Sequence, residues 1–125
     1  STCANSELVL SALLKAVFRR RPGRGVLLHS DQGCQYTSHA WKEVATTMGF
    51  RLSMSGRGQC WDNAPVESWN GILKRESRVT RTLLDGIDQV RDVLFPWIEG
   101  WYNTRRRHST LGYLSPAEFE RKWAA

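Results

Sequence analysis

The sequence predicts an α/β fold whose second half is helical. Two observations carry that prediction. Over the first 60 residues, apolar side chains recur first at helical spacing, then in a short continuous run, then at helical spacing again, then in alternation. That is the order helix, strand, helix, strand, which favours a parallel strand pair joined by a right-handed crossover. Beyond residue 60 only helical spacing is found. A chain of 125 residues with 41% hydrophobic and 24% charged side chains fits one globular domain rather than a disordered segment.

The first helix is expected over "SELVLSALLKAVFRR", where Leu10, Leu13, Leu14 and Val17 form a stripe and Ser6 suits the N-cap. "RPG" ends it. "GVLLHS" then reads as a strand buried on both faces that runs straight into Asp31. "TSHAWKEVATTMG" repeats the helical pattern through Ala40, Trp41, Val44, Ala45 and Met48, with Thr37 or Ser38 as cap and Gly49 as stop. "FRLSMS" alternates as a second strand, and "GRGQCWDNA" reads as a mobile glycine-rich loop. "APVESWNGILKRESR" is the next helix, with Asp62 or Asn63 near its cap and Pro65 in its first turn. A longer helical stretch carries apolar Ile87, Val90, Leu94, Trp97, Ile98 and Trp101, and Pro96 is expected to kink or split it. Finally "SPAEF" offers a capping box, with Ser115 as N-cap, Pro116 at N1 and Glu118 at N3.

Charge narrows the function classes. Eighteen Lys and Arg against twelve Asp and Glu give a net charge of +6. The excess lies in residues 1–60, which hold 8 basic and 3 acidic groups, against 10 and 9 in residues 61–125. Basic clusters stand at Arg19–Arg24, Lys74–Arg81 and Arg105–His108. They suit a polyanion such as nucleic acid, and equally a solvated surface with cations at helix C-termini. No apolar stretch approaches the 18 or so residues needed to span a bilayer. Three widely spaced cysteines, Cys3, Cys34 and Cys60, fit reduced thiols better than a disulfide framework or a zinc site.

The chemistry-bearing residues are carboxylates. Asp31 closes a strand, where open α/β sheets place their ligands. Glu67 stands early in the helix after the loop, and Asn63, Glu67, Asn70 and Lys74 share one helical face. An acid, an amide and a cation so aligned suit a metal ion and a phosphate; they also suit an ordinary exposed polar ladder. His29 reads as a packed strand histidine, Trp97, Trp101 and Trp123 as core or interface residues, and Trp61 as a candidate for stacking on DNA.

On the residues alone the polar ladder is the simpler reading, and spacing changes that weighting. Asp31 and Glu67 are separated by 35 residues, and Lys74 follows Glu67 by seven. Together with "HSDQGCQYTS", "WDNAPVESWNGILKRE" and "WYNTRRRHSTLGYLSPAEF", this resembles the integrase-core transposases of bacterial insertion sequences, from about Glu7 to Phe119. These are relatives of retroviral integrase with an Asp, Asp, 35-spaced Glu triad. The resemblance implies an RNase H-like integrase core with a mixed five-stranded sheet, and phosphoryl transfer on DNA using Mg²⁺ or Mn²⁺ held by carboxylates. Hard divalent ions prefer such oxygen ligands. Asp31 and Glu67 match the second and third acids, as catalytic residues and metal ligands. Lys74 matches the residue that contacts DNA near the cleaved end. Asn63, Asn70, Arg105, Arg106, Arg107 and Trp61 are the further DNA-binding candidates. Transposon ends and target DNA are the implied partners, with a homo-oligomeric assembly, no membrane, and a cytoplasmic, nucleoid-associated location in a bacterium.

One departure stands out. Residues 1–30 contain no aspartate, and their only acid is Glu7. The resemblance therefore implies a partial catalytic core over 1–125, truncated at its N-terminus, with the first three strands and the first catalytic aspartate missing. About 1–60 forms its α/β part and about 61–125 its helical part. Two classes of function follow: a portion of a DNA transposase retaining part of its active site, or a non-catalytic DNA-binding or oligomerisation remnant that regulates one.

Overall fold

A computed structural model describes residues 6–80 and 84–124. It divides into two compact units, Ser1–Val66 and Glu67–Ala125. In the first unit the element order is α1 (Ser6–Arg20), β1 (Leu27–Ser30), a one-turn α2 (Cys34–Thr37), α3 (His39–Thr47) and β2 (Arg51–Met54). The strands pair in parallel, Leu27 opposite Arg51 through Ser30 opposite Met54, as the helix–strand alternation requires. Among the described residues this sheet has two strands, against the five that the family resemblance implies.

The core of this unit is small. Leu13 of α1 and Trp41 and Ala45 of α3 are buried, with Val9, Leu10, Val17, Leu28, Tyr36, Val44, Phe50 and Leu52 packed around them. Leu28 and Leu52 are register partners, so the sheet offers one apolar pair to the two helices. The other face is open. Leu27 is 59% exposed, which corrects the expectation of a strand buried on both sides; helices α1 and α3 cover only the face that Leu28 and Leu52 present. Leu14, counted in the α1 stripe, is also exposed.

Local signals place the helix ends of α3. Ser38 Oγ accepts the Trp41 amide as N-cap. At the other end Gly49 takes a left-handed backbone (φ 84°), the Gly49 amide donates to the Thr46 carbonyl and the Phe50 amide to the Ala45 carbonyl. That is a Schellman stop, closed by Phe50 folding back onto the core. The loop after β2 contains a 3₁₀ turn, Cys60–Asn63, that feeds α4 (Ala64–Glu76).

In the second unit, α5 (Ile87–Phe95) passes at Pro96 into a π-helical segment, Pro96–Tyr102. Proline has no amide hydrogen, so the α-helical ladder loses a rung there. The wider winding that follows is marked by the Asn103 amide donating to the Ile98 carbonyl at 2.9 Å, five residues back. The expected kink or split is thus realised as a change of helix type. A 3₁₀ turn (Ser109–Leu111) and a His108–Leu114 bridge lead to α6 (Pro116–Trp123). The predicted capping box is present: Ser115 Oγ accepts the Glu118 amide and the Glu118 carboxylate accepts the Ser115 amide at 2.8 Å. Those bonds hold the Glu118 carboxyl below the usual carboxylate range.

The cysteine expectation needs one correction. Cys34 is disulfide-bonded, while Cys60 is free and exposed. Cys3, like Arg81 of the second basic cluster, lies outside the described residues. Pairing depends on distance in space, which wide spacing in a sequence does not report.

Candidate functional site

Asp31 follows β1 directly and is exposed. Its Oδ1 accepts the Gly33 amide at 2.8 Å, an Asx turn of the kind aspartate makes at strand ends. Gly33 allows that close approach: a Cβ there would stand 2.9 Å from Asp31 Oδ1 and 2.8 Å from the Gln35 side chain. A carboxylate has about four lone-pair positions, so one amide bond leaves acceptor capacity for a cation. Asp31 is thus a turn-forming residue whose carboxylate keeps acceptor capacity.

The turn after Asp31 is anchored through Ser55, which is 4% exposed. The Ser55 amide donates to the Ser30 carbonyl at 3.0 Å, and Gln32 Nε2 donates to the Ser55 carbonyl at 3.0 Å. Asn63 Nδ2 reaches Ser55 Oγ at 3.3 Å, and Arg57 Nε reaches Gln32 Oε1 at 3.4 Å. Asp62 Oδ2 meanwhile accepts the Gly56 amide. The ends of both strands and the 3₁₀ turn before α4 are thereby tied together. Asn63, a DNA candidate from the sequence, spends its amide on this fastening. Ser55, Gln32 and Arg57 had no signal in the sequence, since each bonds across a gap of 23 to 25 residues. His29 is exposed rather than packed and shares a hydrogen bond with Ser53 Oγ at 2.9 Å, because its strand face lacks a covering layer.

On α4 the expected polar face is found in part, since Asn63 falls in the 3₁₀ turn before the helix and is half-buried. Glu67, Asn70 and Lys74 lie on the exposed side, whereas Trp69, Ile72, Leu73 and Glu76 are half-buried. Val66 of the same helix, an apolar residue, is 57% exposed. Trp61, in the 3₁₀ turn, is also exposed. Among the described residues no three His, Cys, Asp or Glu side chains gather into a metal-binding group. Asp31 and Glu67 belong to different units, one at a strand end and the other in the first turn of a helix.

The three consecutive arginines separate into different roles. Arg106 makes a two-pronged ion pair with Glu76: Nη2 donates to Oε1 at 2.8 Å and Nε to Oε2 at 2.9 Å, with both side chains largely covered. Arg106 also lies 5.8 Å over the Tyr102 ring. Its hydrogen bonds hold the Glu76 carboxyl below its usual range. His108 packs edge-on against Tyr102, with a buried Nε2 that has no partner among the described residues. Burial, then the Arg106 charge, lowers its pKa. Arg107 Nη1 donates to the Tyr113 carbonyl at 3.2 Å. Arg105 is exposed.

The integrase core domain family matches this chain twice, over residues 48–116 and over residues 1–60. The chain belongs to the integrase core domain family. Among its relatives are an uncharacterized 31 kDa protein of insertion element IS600 from Shigella sonnei, 41% identical over 94% of this chain and 43% of the relative. The transposase of IS904 from Lactococcus lactis is 36% identical over 97% of the chain and 47% of the relative. Transposase InsF of IS3A from Escherichia coli is 39% identical over 94% and 40%. The chain thus spans less than half the length of the curated relatives it matches. The family and these relatives are those the motifs announce, and no helix among the described residues is long and apolar enough to cross a membrane.

Proposed function

We propose that this chain supplies part of the catalytic surface of an insertion-sequence transposase, for divalent-metal-dependent phosphoryl transfer on the ends and target of the transposon DNA. The observation that carries the reading is the exposed Glu67–Asn70–Lys74 face of α4, with 35 residues between Glu67 and an exposed Asp31 at a strand end. The donors fit the implied ion, since both are hard carboxylate oxygens of the kind Mg²⁺ and Mn²⁺ select. Asp31 and Glu67 would hold that ion. When bound, it supplies activation of a water or 3′-hydroxyl and charge stabilisation at the leaving oxygen.

The chain's own residues do the positioning. Lys74 places a cation one and two helical turns from Asn70 and Glu67, where a phosphate would sit, and Asn70 offers that phosphate an amide donor. Asn63 acts through Ser55 by holding the turn before the helix. Arg105 and Arg107 serve phosphates further along the duplex, Arg106 is committed to Glu76, and Trp61 offers a face for a base. A cytoplasmic location on the nucleoid accords with such a role.

Two carboxylates hold a divalent ion loosely. The 125-residue chain alone is therefore expected to bind Mn²⁺ weakly and to join no pre-cut transposon end; efficient Mg²⁺-dependent joining would overturn this. Paramagnetic broadening by Mn²⁺ should centre on the amides around Asp31 and Glu67. Loss of even an outer-shell partner costs about 10–100-fold in metal affinity, so Asp31→Asn and Glu67→Gln should each weaken the effect by at least about tenfold. Broadening unchanged in both variants would remove the two residues from the site. A second reading for the isolated chain is DNA binding without chemistry, with which its net charge of +6 accords.

Self-association belongs to the same proposal. Leu8, Phe18, Val26 and Leu27 of the first unit are all exposed apolar residues, and such surface promotes association. The isolated chain is expected to form a dimer or larger species in light scattering, and a monomer mass independent of concentration would count against it.

A further inference from the structure

We propose that a groove on the second unit binds an unpaired nucleotide of single-stranded DNA, its base stacked on Trp101 and Trp97 and its phosphate held by Arg75 and Arg78. The groove, about 430 Å³, is lined by Arg75, Glu76, Arg78, Trp97 and Trp101. That volume falls within the roughly 300–1,000 Å³ of small-ligand sites. The inference rests on the DNA reading above and adds to it a particular form of DNA.

The lining has the two components that single strands require. The first is an aromatic platform. Trp97 and Trp101 lie 5.8 Å apart with planes at 40°, side by side because they are four residues apart in the π-helical segment. Trp97 is backed by Tyr102 at 5.3 Å, and Tyr102 by Trp69 at 6.3 Å, so the platform is braced from behind. Trp101 keeps 39% of its surface exposed. Bases stack on such faces whatever their sequence, but only when they are unpaired and turned out of a duplex.

The second component is positive charge at the rim. Arg75 is exposed in the last turn of α4, and Arg78 follows with a left-handed backbone (φ 58°) that few arginines adopt. The one acid in the lining does not offset them, because both Glu76 oxygens are bound by Arg106 from behind. The groove is therefore aromatic and cationic, which complements a base and its phosphate.

The test is fluorescence anisotropy of the 125-residue chain with a labelled oligothymidylate 12-mer and with a blunt 12-base-pair duplex, across a salt series. The single strand should bind more tightly than the duplex. Trp101→Ala should weaken single-strand binding at least about fivefold and leave duplex binding unchanged, as expected for loss of one stacked base. Trp101→Leu, which keeps the apolar bulk but not the ring face, should do the same; circular dichroism shows which variants remain folded, and the leucine variant decides the matter if the alanine variant is not. Arg75→Ala should reduce the salt slope of single-strand binding by about 0.7. Binding of both DNA forms with no effect of either Trp101 variant would overturn the groove while leaving the DNA reading intact. Binding of neither form at low salt would overturn the DNA reading itself.

Discussion

Trp41→Ala is expected to unfold the first unit, or to leave it with a small fraction of its stability at 37 °C. Truncating a buried tryptophan costs about 3–5 kcal/mol, from lost transfer energy and from the cavity left behind. Folded domains retain only about 0.05–0.15 kcal/mol per residue, so that loss is comparable to the total for a unit of this size. The site has little means of absorbing the change. Trp41 is 4% exposed, meets Tyr36 edge-on at 5.2 Å, and shares the buried core with only Leu13 and Ala45. Urea titration followed by far-UV circular dichroism should show the loss, and Trp41→Phe should recover much of it by restoring an aromatic ring. A near-native midpoint for Trp41→Ala would mean that something other than the α1–α3 core holds the sheet. The functional consequence is immediate, because β1 reaches that core through Leu28, and the turn that presents Asp31 is the continuation of β1.

What could be read in advance follows the range of the interaction that decides it. The Ser38 cap, the Gly49 stop and the Ser115 capping box are written within a few residues of where they act, and the parallel order of β1 and β2 follows from the alternation of helix and strand periods rather than from any one contact. The polar face of α4 was legible for the same reason, since helical spacing alone sorts Glu67, Asn70 and Lys74 to one side. Features set by distant partners were not legible. Ser55 looks like any serine, yet it fastens two strand ends and the turn before α4. In the sequence Arg106 is one of three consecutive cations, and only its bond to Glu76, thirty residues away, sets it apart. The apolar run containing Leu27 reads as a strand covered on both faces, and His29 as a packed strand histidine. The structure covers one. Asp31 lies between these cases. Its Asx turn is a local matter, but its pairing with Glu67 rests on a spacing that carries meaning only through the family.

Arg106→Ala is expected to destabilise the second unit by about 2–3 kcal/mol, because it leaves the Glu76 carboxylate half-buried without its two charge-assisted hydrogen bonds. The pH dependence separates this cause from simple loss of packing. The Glu76 carboxyl is held below its ordinary value of 4.5 chiefly by the Arg106 hydrogen bonds. A carboxylate depressed on folding stabilises the native state above its unfolded pKa, and that contribution is lost as pH falls through the folded value. The advantage of the native protein over Arg106→Ala should therefore be full at pH 6–7 and shrink as pH drops below 4.5, until the two unfolding curves converge. His108 adds an earlier step to both proteins. Its pKa is lowered from 6.5 first by burial, which the variant largely keeps, so stability should begin to fall as pH decreases below 6.5. His108→Gln should abolish that upper step and spare the lower one. Replacing the pair together, as Glu76→Leu with Arg106→Met, should recover much of the stability at neutral pH, since no unpaired buried charge remains. If the gap between native protein and Arg106→Ala persisted unchanged at pH 3, the arginine would act through its guanidinium over the Tyr102 ring rather than through Glu76. The neutralisation of the groove's only acid, on which its affinity for a phosphate depends, would then need another source.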